Sequence, residues 1–310
     1  KGGFYATHSR LWAGWHYRAV EEALEIGRDA SLPIQISHQT IVDPRYYGTA
    51  AHIVERMEQA RRDGIDVRYD VYPYTAGGTA ADQLLPAWAL EGGVPALLAR
   101  LRDTATRQAI RNDAAKGWFR GIPWSWEGIQ LVSLPHGEYF EFIGQRMDAV
   151  AEHLKLAPLD ALLHLIDVLD NDVSVVVFNR TEADVEHFLA HPLAMIGSDG
   201  TSIAPRGEAL STQVHPRFYG TFPRVLGRYC RERGVLTLPD AVHKMTAAPA
   251  ARLGLKDRGT IRPGAKADIT VFDPETIADQ ATFAHPHRYP TGIHHVLVNG
   301  KVVVTPEGHT

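Results

Sequence analysis

Pro33-Ile34-Gln35-Ile36-Ser37-His38 is a short apolar run that stops at a histidine, and it lies between two stretches of helical periodicity. Upstream, residues 17–29 carry Ala19, Val20, Ala23 and Leu24 at helical spacing, with Glu21 and Glu22 turned to solvent. Downstream, residues 49–62 place Ile53, Val54, Met57 and Ala60 on one stripe, and Gly64 supplies the stop. Apolar residues three and four apart define an amphipathic helix. Two more runs frame the unit: residues 2–7 end at His8, and residues 65–71 end at the turn Tyr72-Pro73-Tyr74. Strands and helices alternating over short connections require parallel strands with crossover helices. The reactive residues stand where each strand gives way to its loop, the face that carries the active site of a (β/α) barrel. The fold expected is α/β, an incomplete TIM-like (β/α) barrel.

Beyond this unit the character changes. Residues 75–172 are rich in Trp, Gly and Pro, with helical patches near 94–111 and 158–169, and read as an α-rich lid insertion. Residues 173–178 form a short apolar strand, and Thr181-x-x-Asp184 is a capping box opening a helix through Ala190. Residues 193–198 read as another buried strand, ending at Asp199-Gly200. Thr237-Leu238-Pro239-Asp240 is a clear helix start. From Gly259 the pattern turns to β, with strands at 267–272, 295–299 and 302–304. The division expected is a partial barrel over 1–255, with 75–172 as its insertion, and a β-sandwich segment over 256–310. Lys1-Gly2-Gly3-Phe4-Tyr5-Ala6 reads as the inside of a strand, which predicts a further segment upstream.

The composition excludes several classes. With 310 residues, 45% hydrophobic and 22% charged, the chain is an ordinary globular one. A net charge of −4 gives no basic excess for nucleic acid or an anionic membrane. No apolar run approaches the roughly 20 residues that span a bilayer. The single cysteine, Cys230, precludes an intrachain disulfide, so a reducing cytoplasm is the expected home. Within the helical-looking stretch 224–233 it reads as a packed small side chain rather than a nucleophile.

His8, His38 and Asp199 form the constellation of chemical interest, because each terminates a parallel strand and the three converge at one rim. Imidazoles and carboxylates are the usual ligands of a catalytic zinc. Such an ion lowers the pKa of bound water towards ~7 and polarises an amide carbonyl. A carboxylate beside it takes the proton from water and returns it to the departing nitrogen, which is the role Asp199 fits. Among 16 histidines, a single one at a strand end is more often structural than a ligand, and spacing alone leaves the choice near even.

A set of ordered motifs goes further: Tyr5-Ala6-Thr7-His8, Ile36-Ser37-His38, Tyr72-Pro73-Tyr74 and Gly197-Ser198-Asp199-Gly200. After them come His215-Pro216-Arg217-x-x-Gly220-Thr221-Phe222-Pro223-Arg224, the Lys244-Met245-Thr246 to Leu255 run, and Arg258-Gly259 to Asp273-Pro274. Together they resemble the D-aminoacylase (N-acyl-D-amino-acid deacylase) family of the amidohydrolase superfamily, over essentially the whole chain. The resemblance implies zinc-dependent hydrolysis of the amide of an N-acyl-D-amino acid, with one or two zinc ions. It implies His8 and His38 as metal ligands on the fifth and sixth barrel strands, and Asp199 as general base and possible contact of a second metal. Arg217 is implied to bind the substrate carboxylate, a match for a bidentate guanidinium. Tyr72 or Tyr74, with Tyr74 preferred, is implied to orient the substrate.

Two departures stand out. The family's His-x-His pair and cysteine ligand lie upstream of the His8 motif and have no counterpart here; His285-Pro286-His287 is a decoy, and Cys230 is no substitute. Many relatives also carry a lysine, assisting with the substrate carboxylate, where this chain has Thr40. Thr40 supplies no charge, so substrate preference is expected to differ, with Arg10 as a compensating cation. Two alternatives stay open. One is another C–N hydrolase of the superfamily, dipeptidase-like or acting on cyclic amides. The other is a non-catalytic half barrel that needs a complementary N-terminal segment or a homo-oligomer.

Overall fold

In the computed structural model of the chain, residues 2–10, 16–119 and 121–310 are described. Strands β1 (Tyr5–Thr7), β2 (Ile34–Ile36), β3 (Val67–Val71) and β7 (Ala194–Ile196) form one parallel sheet in the order β1-β2-β3-β7. Helix α1 (His16–Ala30) crosses from β1 to β2, and α2 (Ala50–Arg62) from β2 to β3. The expected stripes are the buried ones: Ala19, Val20, Ala23 and Leu24 on α1, and Ile53, Val54, Met57 and Ala60 on α2. A Cβ at Gly27 would overlap the Ile34 side chain, so glycine lets α1 lie directly against β2. Among the described residues, the outer edges of β1 and β7 pair with no other strand.

Register brings the strand ends level. Thr7 pairs with Ile36, Ile36 with Tyr69 and Val71 with Ile196. His8, His38, Tyr72 and Asp199 therefore all follow the C-terminal ends of these strands, on one rim. Helix α7 (Glu182–Ala190), which precedes β7, starts as its sequence predicts: Thr181 Oγ1 accepts the Asp184 backbone N–H at 3.2 Å. Thr237 Oγ1 likewise accepts from Asp240 at the head of α9 (Leu238–Met245).

Between β3 and β7 the chain builds a second core around its own sheet. That sheet is antiparallel, with β6 (Ser174–Val177) between β4 (Gly77–Ala80) and β5 (Ile129–Ser133). The helices α3 (Gly93–Arg102), α4 (Thr104–Ala114), α5 (Met147–Leu154) and α6 (Pro158–Val168) pack here around Phe142, Leu131 and Leu162. The helical patch expected near 94–111 is thus two helices, because the Asp103 carboxylate accepts the Thr106 N–H and opens a new one. The apolar strand read at 173–178 belongs to this sheet and not to the parallel one.

After β7 come α8 (Arg217–Arg224), a wider π-helical stretch over Val225–Glu232, α9 and α10 (Ala247–Arg252). The last part is an antiparallel sheet of β8 (Ile269–Phe272), β9 (Ile293–Val298), β10 (Lys301–Thr305) and β11 (Gly308–His309). Two of the quoted motifs turn out to be joints. Buried Lys244 donates to the carbonyls of Leu189 and His191, finishing α7. Arg258 ion-pairs Asp268, whose carboxylate also takes the Asn299 N–H. Cys230 is half-buried with its thiol pushed up to about 11 by burial, in keeping with a packing role.

Candidate functional site

The rim holds a cleft of about 130 Å³ lined by His8, His38, Tyr72, Arg180 and Asp199, with Trp118 and Phe119 of the inserted segment across from them. His8 Nδ1 and His38 Nε2 face each other at 2.7 Å, and the two rings meet edge-on with centroids 4.5 Å apart. One ring nitrogen donates to the other, so both imidazoles direct a nitrogen to the same point. Partial desolvation pulls the pKa of each below its usual value; proximity to His38 adds to this for His8, and Asp199 opposes it for both. The neutral form, which carries the lone pair a metal needs, is therefore favoured.

His38 holds this pose through a strained backbone. Its φ is +38°, a left-handed conformation uncommon outside glycine. The carboxylate of Asp70, on β3, secures it: Oδ1 accepts the His38 backbone N–H at 2.7 Å and Oδ2 accepts Gln35 Nε2 at 2.8 Å. Asp199 also has positive φ, +48°, at the tip of the last parallel strand.

Asp199 shares the cleft, yet its carboxylate turns to Arg217, with Oδ2 3.0 Å from Nη1. Among the described residues no group of three His, Cys, Asp or Glu side chains is gathered closely enough to hold a metal ion. The expected three-ligand cluster is therefore only partly assembled. Two convergent neutral imidazoles fit a zinc-like cation in donor type, and the exposed Asp199 carboxylate stands beside them. A complete ligand set requires more than these.

Arg217 is buried at 7% exposure on the first turn of α8. Its Nε and Nη1 lack aligned hydrogen-bond partners, and its guanidinium lies 4.8 Å from the centre of the Tyr72 ring. His215 positions it: Nε2 donates to the Ala76 carbonyl at 3.0 Å, leaving Nδ1 to accept the Arg217 backbone N–H at 3.0 Å. Burial, and next the charge of Arg217, hold the His215 pKa well below the ordinary range. The two tyrosines separate. Tyr72 lines the main cleft and also a smaller cavity, while Tyr74 lines only the smaller one, with His38 and Thr40, and its hydroxyl is unpartnered.

One reading of a cation needs correction. Arg10 is not the compensating charge, because its Nε donates to Glu22 at 2.9 Å and it does not line the cleft. The cation that meets Thr40 is Arg180, just after β6, whose Nε donates to Thr40 Oγ1 at 2.7 Å. Sequence reasoning missed it. His287, of the decoy pair, bonds the Thr212 carbonyl and Tyr219, away from the cleft.

Parallel strands with a His–His–carboxylate rim define a class, and the sequence profile of the Amidohydrolase family matches residues 7–304: the chain belongs to that family. Within it, the chain is similar to a D-aminoacylase of Alcaligenes xylosoxydans xylosoxydans, 34% identical over 309 residues, 100% of this chain and 53% of that protein. It is also similar to an N-acyl-D-glutamate deacylase of the same organism, 33% identical over 98% of this chain and 52% of the relative. Among solved structures it resembles an N-acyl-D-glutamate deacylase from Bordetella bronchiseptica, complexed with zinc and a phosphonate mimic of the tetrahedral intermediate. That match has a TM-score of 0.75 and 30% identity, over 99% of this chain and 54% of the other. The chain spans about half the length of the curated relatives it matches.

Proposed function

We propose that the protein carrying this chain is a zinc-dependent amidohydrolase that removes the acyl group from N-acyl-D-amino acids. The observation that carries this reading is the 2.7 Å convergence of His8 and His38 in a cleft shared with Asp199, whose carboxylate ion-pairs the buried Arg217. His8 and His38 would hold the cation, which when bound polarises the acyl carbonyl and acidifies a water. Asp199, exposed to the cleft, takes the water proton and delivers it to the departing amine. Arg217 binds the substrate carboxylate through its guanidinium, which also ion-pairs Asp199, Tyr72 stacks beneath it, and Tyr74 supports the wall behind. The inserted segment, whose Trp118 and Phe119 face the rim, acts as a lid. The edges of β1 and β7, unpaired among the described residues, favour a complementary segment that continues the parallel sheet towards a barrel, with the terminal antiparallel sheet as part of a β-sandwich. No described helix is long and apolar enough to cross a membrane; the lone cysteine favours the cytoplasm.

The test is hydrolysis by the zinc-loaded full-length protein of N-acetyl-D-leucine, N-acetyl-L-leucine and a cyclic amide such as dihydrouracil. Release of D-leucine alone is the expected outcome. Ring opening without deacylation would reject the assignment in favour of a cyclic amidase.

A further inference from the structure

Arg180 is a part-buried guanidinium without a counter-charge. Its Nε is committed to Thr40 Oγ1, which fixes the plane of the group, while Nη1 is sealed from solvent without a protein partner. Among the described residues no carboxylate lies within ion-pairing distance of it. A buried cation left unpaired is costly. The fold makes room for it all the same: a Cβ on Gly77 would stand 2.5 Å from Nη2 and 2.6 Å from Nη1, so glycine at the start of β4 is what admits the side chain. Arg180 also lies 5.2 Å from the centre of the Tyr72 ring, the ring that Arg217 approaches to 4.8 Å. Two guanidinium groups thus approach one aromatic ring, and of the two only Arg217 has an ion pair among the described residues, with Asp199. Arg180 is thus left without an ion pair among these residues, which a single anionic group would supply.

We propose that Arg180 is a specificity-determining residue that, with Arg217, forms a two-guanidinium site for the carboxylate of the substrate. The idea rests on the deacylase reading for the identity of the ligand, but not for the existence of the anion site. Thr40 is the hinge of the arrangement, since its hydroxyl holds Nε while Gly77 leaves room for the two Nη atoms. Burial pulls the Arg180 pKa down and the like charge of Arg217 adds to it, against Tyr72 and Asp199, so a bound anion relieves a real tension.

The experiment compares the zinc-loaded full-length protein with its Arg180→Met, Arg180→Lys and Thr40→Lys/Arg180→Met variants on N-acetyl-D-leucine and the uncharged N-acetyl-D-leucinamide. Loss of charge-assisted hydrogen bonds should raise KM for the carboxylate roughly 10- to 100-fold in Arg180→Met, with kcat changed far less. The amide substrate should be indifferent, and the two lysine-bearing variants should recover part of the loss. Equal losses on both substrates would reduce Arg180 to a structural role, and no change in KM would remove it from the site. Calorimetry with N-acetyl-D-leucine on chelator-treated protein separates the two readings. Arg180-dependent binding without hydrolysis sinks only the deacylase, hydrolysis indifferent to Arg180→Met sinks only the anion site, and absence of wild-type binding overturns the anion site.

Discussion

Asp70→Ala tests whether the His38 tip is held or merely happens to lie where it does. The substitution strips the acceptors from the His38 backbone N–H and from Gln35 Nε2 at once. Hydrogen bonds to a charged group contribute about 1.5–3 kcal/mol each. Burial pushes the Asp70 pKa up, with repulsion from Asp199 added and the His38 N–H and Gln35 opposing, so removing the carboxylate also relieves a desolvated charge. The net loss expected is about 2–4 kcal/mol. Asp70→Asn should cost about 1 kcal/mol. Asn keeps an oxygen for His38, and Gln35 can flip to present its Oε1, now without a partner, to the new amide. Freed from its anchor, the +38° backbone of His38 relaxes, and zinc affinity should fall about 10- to 100-fold, as when a group that orients a ligand is removed. Urea unfolding and competitive zinc titration of the full-length protein read the two effects. If Asn proves as damaging as Ala, or if Ala unfolds more easily while binding zinc as before, the carboxylate does not position His38 and the reasoning fails.

Three further outcomes follow from the same geometry. His8→Ala and His38→Ala should each weaken zinc binding by more than about 100-fold, beyond the range of orienting groups, whereas His285→Ala and His287→Ala should leave the titration unchanged. Buried His215 stays neutral while its unfolded counterpart protonates, so the unfolded state binds the extra proton and stability falls as pH drops below 6.5. The slope from this residue is about 1.4 kcal/mol per pH unit, and acid unfolding of His215→Asn should lack it. Gly77→Ala should cost about 1–3 kcal/mol, because the new methyl displaces a guanidinium that Thr40 holds; KM for an N-acyl-D-amino acid should rise with it, and an unchanged KM would argue against the Arg180 position.

The parallel strands were legible because their signals are local. The stripes of α1 and α2 follow from spacing, and the starts of α7 and α9 from Thr181 with Asp184 and Thr237 with Asp240. The alignment of strand ends then carries His8, His38 and Asp199 to one rim with no further information. The antiparallel sheet of the insertion was not legible, since Gly77-Gly78 breaks any strand pattern in β4 and its partner lies almost a hundred residues on, in β6. Nor could spacing show that Asp199 turns towards Arg217. Arg180 is the sharpest case. An arginine after a strand is unremarkable by itself, and its meaning comes from a hydrogen bond to a residue 140 positions earlier. The departure at Thr40 was visible, but Arg10, nearer in sequence, is taken up by Glu22, and the cation that meets Thr40 comes from far along the chain.

That contrast separates two parts of the site by origin. His8, His38, Tyr72 and Asp199 stand at the ends of four strands whose register is fixed by the shared core, so none of them moves without disturbing the sheet. Arg180, Gly77 and Trp118 come from the segment between β3 and β7, which has a core of its own. Changes there alter what surrounds the rim while the rim persists. An anion-binding cation that rides on this segment, and meets the parallel sheet's loops through Thr40 and the Tyr72 ring, can be replaced or re-aimed without moving the strands. Substrate choice among relatives of this chain should therefore track residues 77–80 and 177–180 more closely than the histidines, and exchanging these residues between two relatives should transfer side-chain preference without changing zinc affinity.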